Sequence, residues 1–145
     1  WSNDSRFRVI LGARKERVSL IKYPKAKKKR VTFKYFTRDE FKCSETGNND
    51  IQDEFIHALD KLREECGFPF RITSGYRYPT HSAEADKEKP GQHTFGIAAD
   101  IAVEGGAQRF LIVSKALELG FSGIGVAKSF VHVDTRTSNP MLWCY

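Results

Sequence analysis

The sequence predicts an α+β domain. Three observations carry this. Two segments repeat apolar residues at helical spacing, several short segments are rich in β-branched and aromatic residues, and the two kinds alternate without an internal repeat. A chain of 145 residues is most simply one domain with a substantial core.

The elements follow in order. Arg6 to Leu11, Arg17 to Tyr23 and Val31 to Phe36 read as short strands separated by charged or Gly/Pro turns. Thr37-Arg38-Asp39-Glu40 fits a capping box and opens a short helical turn with Phe41 facing inward. Asp50 is the expected cap of a strong helix, in which Ile51, Phe55, Leu59, Leu62 and Cys66 form the apolar stripe. Gly67 is its natural stop. Phe70 to Ser74 reads as a strand, residues 78–92 as a polar loop and Ile97 to Val103 as an apolar strand. Ala107 to Leu119 is the second helix, ended by Gly120. Gly123 to Val126 and Phe130 to Val133 are short strands around a Lys128-Ser129 turn. Met141, Leu142, Trp143 and Tyr145 are expected to pack back on the domain.

Composition narrows the function classes. Hydrophobic residues at 40% and charged residues at 29% are ordinary for a soluble globular protein. No apolar run approaches the ~20 residues that span a bilayer, and no signal-peptide pattern is visible at Trp1. The net charge of +6 favours polyanionic surroundings. Much of the excess lies in Lys25-Ala26-Lys27-Lys28-Lys29-Arg30, either a solvated basic loop or a patch steering the protein to an anionic surface such as a cell-wall polymer. Specific nucleic-acid binding lacks a recognition motif. The three cysteines, Cys43, Cys66 and Cys144, include no CxxC pair, which argues against a thiolate zinc site, and their odd number argues against a full disulfide framework.

The residues that carry chemistry are His93, Asp100 and His132. Two imidazoles and one carboxylate can hold a zinc ion and leave its fourth position for water, an arrangement that polarises a carbonyl and generates hydroxide near neutral pH. Asp100 lies inside the apolar run Ile97 to Val103, where an unpaired carboxylate is costly. His132 is flanked by Phe130, Val131 and Val133. Each alone has bland explanations, a salt bridge for the Asp and a satisfied core histidine for the His. Residues two apart on a strand share a face, so Asp134 stands on the side of His132. It is a candidate orienter of that imidazole or a candidate proton acceptor, and the latter makes it the expected catalytic base. Arg77, in Ser74-Gly75-Tyr76-Arg77, could clamp a substrate carboxylate with its planar fork, or could be a surface residue after a turn.

Ser74-Gly75-Tyr76-Arg77, His93 with Asp100 seven residues on, and Phe130-Val131-His132-Val133-Asp134 together resemble the zinc D-Ala-D-Ala carboxypeptidase family, which includes phage endolysins and cell-wall endopeptidases. Tyr35 to Phe41 resembles the family's entry segment, so the likeness covers roughly residues 35–145 as a zinc peptidase-like domain, with residues 1–34 a basic N-terminal β extension outside it. The resemblance implies a hedgehog-like fold with a central, mostly antiparallel sheet and two main helices. It implies Zn2+ at His93, Asp100 and His132, a substrate carboxylate at Arg77, and a hydrogen bond from Gln92 to the substrate. The implied activity is hydrolysis of amide bonds in peptidoglycan stem peptides at the bacterial cell wall, in the periplasm or associated with a virion. Many members place an acid three residues before the last zinc histidine, where this chain has Ser129. A non-catalytic zinc-fold binding module or a virion structural part is therefore the alternative.

Overall fold

Five short strands, two helices and two 3-10 turns make up the part of the chain that the structure, a computed structural model, describes: residues 31–145. These residues form one unit. Arg6 to Leu11, Arg17 to Tyr23 and Lys25 to Arg30 lie outside the described residues.

Helix α1 (Asp53–Cys66) forms where the apolar stripe was expected. Phe55, Ile56, Leu59, Leu62 and Cys66 are buried along one side, each large side chain contributing about 1.5–3 kcal/mol when fully buried. Gly67 closes the helix in the left-handed region, at φ 76°. The start differs from the expectation. Asp50 and Ile51 lie outside the helix and Gln52 takes the cap position; its N–H, which the helix itself cannot satisfy, donates to the Gly96 carbonyl at 2.8 Å. The segment before α1 thereby holds the end of a distant turn, and Gly96, at φ 71°, has no room for a Cβ beside the Asp50 carbonyl.

Val31 to Phe36 is not a strand. Its β-forming residues lose to a side chain: both carboxylate oxygens of Asp60 on α1 are taken by the backbone N–H groups of Lys34 and Tyr35, at 2.8 and 2.9 Å. That pairing draws the segment onto α1, where Phe36 is buried. Val31 to Lys34, read from sequence as part of the extension, falls within the same unit as the rest. The capping box survives. Glu40 accepts the Thr37 N–H at 2.7 Å, and the 3-10 turn Arg38–Phe41 buries Phe41 completely.

The sheet contains β1 (Ile72–Ser74), β2 (Ala98–Ala102), β3 (Gly123–Val126), β4 (Phe130–Asp134) and β5 (Met141–Cys144) in the order β1-β2-β4-β3-β5. All pairs are antiparallel except β3 with β5. Strand alternation divides β2, β3 and β4 into two sides. Ala99, Ile101, Ile124, Val131 and Val133 join the core with α1 and with Ile112 and Ala116 of α2 (Gly106–Leu119). The opposite side carries Asp100, His132, Asp134, Gly123 and Gly125. The tail packs less than expected: it adds a strand, but only Trp143 is part-buried, while Met141, Leu142 and Tyr145 are exposed. No helix among the described residues is long and apolar enough to cross a membrane.

Candidate metal centre

One transverse row of the sheet builds the site. Ser74, Asp100, His132, Gly125 and Trp143 are successive register partners, so the row crosses all five strands. Asp100 and His132 face each other directly on β2 and β4, their side chains both buried. His93 comes from elsewhere. It sits in the 3-10 turn Gln92–Phe95 and is likewise buried.

Three atoms converge there. His132 Nδ1 lies 3.0 Å from Asp100 Oδ1 and 3.2 Å from His93 Nε2, and His93 Nε2 lies 3.4 Å from Asp100 Oδ1. Ligand bonds of ~2.0–2.1 Å at tetrahedral angles put donor atoms about 3.3 Å apart, so the triangle matches the edges of such a site.

The protonation pattern argues the same way. His93 Nδ1 lies 2.7 Å from the Gly75 carbonyl, which can only accept, so that nitrogen carries the proton and Nε2 presents its lone pair. His132 Nε2 lies 2.8 Å from Asp134 Oδ2, which fixes its proton there and leaves Nδ1 as an acceptor. Two lone pairs and a carboxylate oxygen thus face one another with no donor between them. A cation satisfies all three at once, and the donor set is one that zinc accepts. Burial would lift the Asp100 carboxyl, but without a metal the imidazoles of His132 and His93 donate to it as soon as they take up a proton on their inward nitrogens, which outweighs burial and holds the carboxyl far below the usual carboxylate range. Burial pushes the His132 imidazole down, yet Asp100 and Asp134 on its two sides outweigh that and raise its pKa. The cluster draws positive charge.

Around the triangle lies a second layer. Asp134 shares the strand side of His132, as alternation requires, but the imidazole stands between it and the other two donors. The carboxylate is fully buried and doubly held by Arg136: Oδ1 accepts from Nε at 2.9 Å and from the backbone N–H at 3.1 Å, and Oδ2 from Nη2 at 2.6 Å. Burial acts to raise its carboxyl, and the Arg136 and His132 hydrogen bonds pull it well below the usual range. Arg77 is turned inward too, its side chain only 18% exposed. Its Nε donates to Ser74 Oγ at 3.0 Å, Nη1 to Glu84 at 3.2 Å and Nη2 to Asp100 Oδ2 at 3.4 Å. Gln92 precedes His93 in the turn, half-buried, and its side chain makes no hydrogen bond among the described residues. Ser129 is exposed in the turn before β4. His57 stacks on Phe33, and His81 bonds within its own loop and to Ser44; neither belongs to the cluster.

Several contributors were not singled out from the sequence. Arg136 follows Asp134 at strand spacing, the one signal that could have marked it. Trp143 lies over Gly125, where a Cβ would come within 2.7 Å of the indole, and its ring centroid is 5.1 Å from that of His132. Arg136 stacks on the same indole at 5.1 Å. Gly123 pairs with Asp134, and any Cβ there would overlap the carboxylate. The glycines of β3 therefore make room for the groups that flank His132.

Residues 34–134 match the family model described as Peptidase M15. The matched span includes His93, Asp100, His132, Arg77 and Asp134; Arg136 and β5 lie beyond it. None of the curated proteins matches the chain significantly.

The role of Gly123 gives a stability test. Gly123→Ala should cost about 1–3 kcal/mol through overpacking, measured by urea denaturation. In an Asp134→Ala background, where the obstructing carboxylate is gone, most of that cost should vanish. An equal cost in both backgrounds would show that the glycine serves something other than the carboxylate.

Proposed function

The chain belongs to the Peptidase M15 family of zinc-dependent, D-Ala-D-Ala carboxypeptidase-like peptidases, and from that premise we propose that it hydrolyses amide bonds in peptidoglycan stem peptides. The observation that carries the reading is the convergence of three buried acceptor atoms, 3.0–3.4 Å apart, with no donor among them.

In this reading His93 Nε2, Asp100 Oδ1 and His132 Nδ1 hold a zinc ion. Zinc so held supplies Lewis acidity that polarises a scissile carbonyl and lowers the pKa of water. The remaining roles belong to the chain. Gly75 keeps the His93 proton on Nδ1. Asp134 keeps the His132 proton on Nε2, which fixes the ring's orientation and raises its basicity as a ligand. Because Asp134 reaches the cleft only through that ring, we assign it the orienting role and not that of the proton acceptor. Arg77 pins the second oxygen of Asp100. Among the described residues three of its five N–H donors are engaged, which leaves two for a substrate carboxylate. The amide of Gln92, which has no partner among the described residues, supplies a hydrogen bond beside it. The net charge of +6 favours residence near anionic wall polymers, and Lys25 to Arg30 would be the segment that meets them.

Digestion of purified sacculi, with products identified by mass spectrometry, tests the substrate. Cleaved stem peptides should appear with the zinc-loaded protein and disappear on chelation. Intact sacculi under all conditions, with zinc bound, would favour the non-catalytic module. Asp134→Asn tests the orienting role. The variant should bind zinc roughly 10–100-fold more weakly, the usual consequence of losing a ligand's hydrogen-bond partner. Wild-type zinc affinity combined with a loss of turnover on the order of 10²–10⁴ would make Asp134 the base instead.

A further inference from the structure

The three donor atoms are not equally well placed by the fold. Asp100 and His132 are register partners in adjacent strands, so the hydrogen-bonded ladder fixes their spacing. His93 sits on a four-residue 3-10 turn at the end of a long polar loop. Something besides the sheet must set its distance from the other two.

Glu84 is the residue in that loop that behaves unlike its neighbours. Ala83, Ala85, Asp86 and Lys87 are exposed, yet the Glu84 side chain is only 1% exposed. Burying a carboxylate costs several kcal/mol unless it is paired, and Glu84 is paired on both oxygens. Oε2 accepts the Gly91 N–H at 3.0 Å. Oε1 accepts from Arg77 Nη1 at 3.2 Å and from Lys87 Nζ at 3.1 Å. Burial acts to raise its carboxyl, but the Gly91, Lys87 and Arg77 bonds outweigh it and lower the pKa, so the group is an anion at neutral pH.

These partners lead to two of the ligands. Gly91 is the cap residue of the turn that carries His93, and a Cβ there would come within 3.1 Å of both Glu84 oxygens, so glycine permits the close approach. Arg77 donates onward to Asp100 Oδ2 at 3.4 Å, which leaves Oδ1 to face the imidazoles. The Arg77 backbone N–H also donates to the His93 carbonyl at 3.2 Å. One carboxylate therefore grips the turn of His93 with one oxygen and the guanidinium behind Asp100 with the other.

We propose that Glu84 is a positioning residue of the metal centre: it sets the distance between the loop-borne donor His93 and the strand-borne donor Asp100 through Gly91 and Arg77. The inference rests on the metal reading above. With both oxygens engaged, Glu84 is not the group that takes a proton from substrate or water.

The test reads metal affinity, not turnover. Zinc dissociation constants of the full chain and of Glu84→Ala and Glu84→Gln are measured by competition with a chromophoric chelator, together with the melting temperature of each zinc-free protein. Glu84→Ala should bind zinc about 10–100-fold more weakly. Glu84→Gln keeps one acceptor oxygen but loses the charge, and should fall between Ala and the parent. With cobalt(II) as the probe, the d–d spectrum of the variants should shift from that of the parent. If the alanine variant does not fold, the glutamine variant alone carries the test. Parental zinc affinity in the variants overturns the proposal, whether or not their zinc-free melting temperatures fall, since a purely structural role lowers those without touching the metal. Failure of the unmutated chain to bind zinc at all would overturn the metal reading and this proposal together.

Discussion

The antiparallel register that sets Asp100 opposite His132 is the constraint from which the rest of the site follows. Those two residues are 32 positions apart in sequence and 3.0 Å apart at their donor atoms. Shifting either strand by one residue would turn its whole set of side chains to the other side. The donors would then enter the helix-packed core, and Ala99, Ile101, Val131 and Val133 would face the cleft. The register is therefore held by the same apolar residues that make the core. Stability and site geometry are two consequences of one alternation.

Electrostatics completes what the register begins. Buried carboxylates are tolerated only when paired, and around the cluster the pairings also orient the donors. Arg136 and His132 hold Asp134, and Asp134 fixes the ring tautomer of His132. Arg77 holds one oxygen of Asp100 and frees the other. The cluster is left short of positive charge only at its centre, where three acceptors meet. The sheet's small residues serve the same end. Gly123 leaves space for a carboxylate and Gly125 for an indole, so the polar side of β3 is shaped by missing side chains.

Much of this was legible in the sequence, for physical reasons that differ by element. The stripe from Phe55 to Cys66 is a strong period and it formed α1. The imidazole and carboxylates in otherwise apolar strands stood out because burial demands a partner for them. What could not be read was the identity of long-range partners. Val31 to Phe36 has β-forming residues, but a carboxylate 25 positions away takes its N–H groups. Asp50 looks like a cap, but the backbone beside it pairs with Gly96. Alternation put Asp134 on the right side of β4 without revealing that the His132 ring separates it from the cleft. Glu84 lies in a charged loop without periodicity, where no local pattern distinguishes a buried anion from exposed ones. The apolar tail suggested packing, and its pairing with β3 as a parallel strand depends on a connection whose course no local motif encodes.

The central claim is that His93, Asp100 and His132 together hold a zinc ion. X-ray absorption at the zinc edge, on the zinc-loaded full chain, tests it most directly. The account predicts a shell of nitrogen and oxygen atoms at about 2.0–2.1 Å with the multiple-scattering pattern of two imidazoles. A sulfur shell at about 2.3 Å, or a shell without imidazole, would place the metal elsewhere and contradict it.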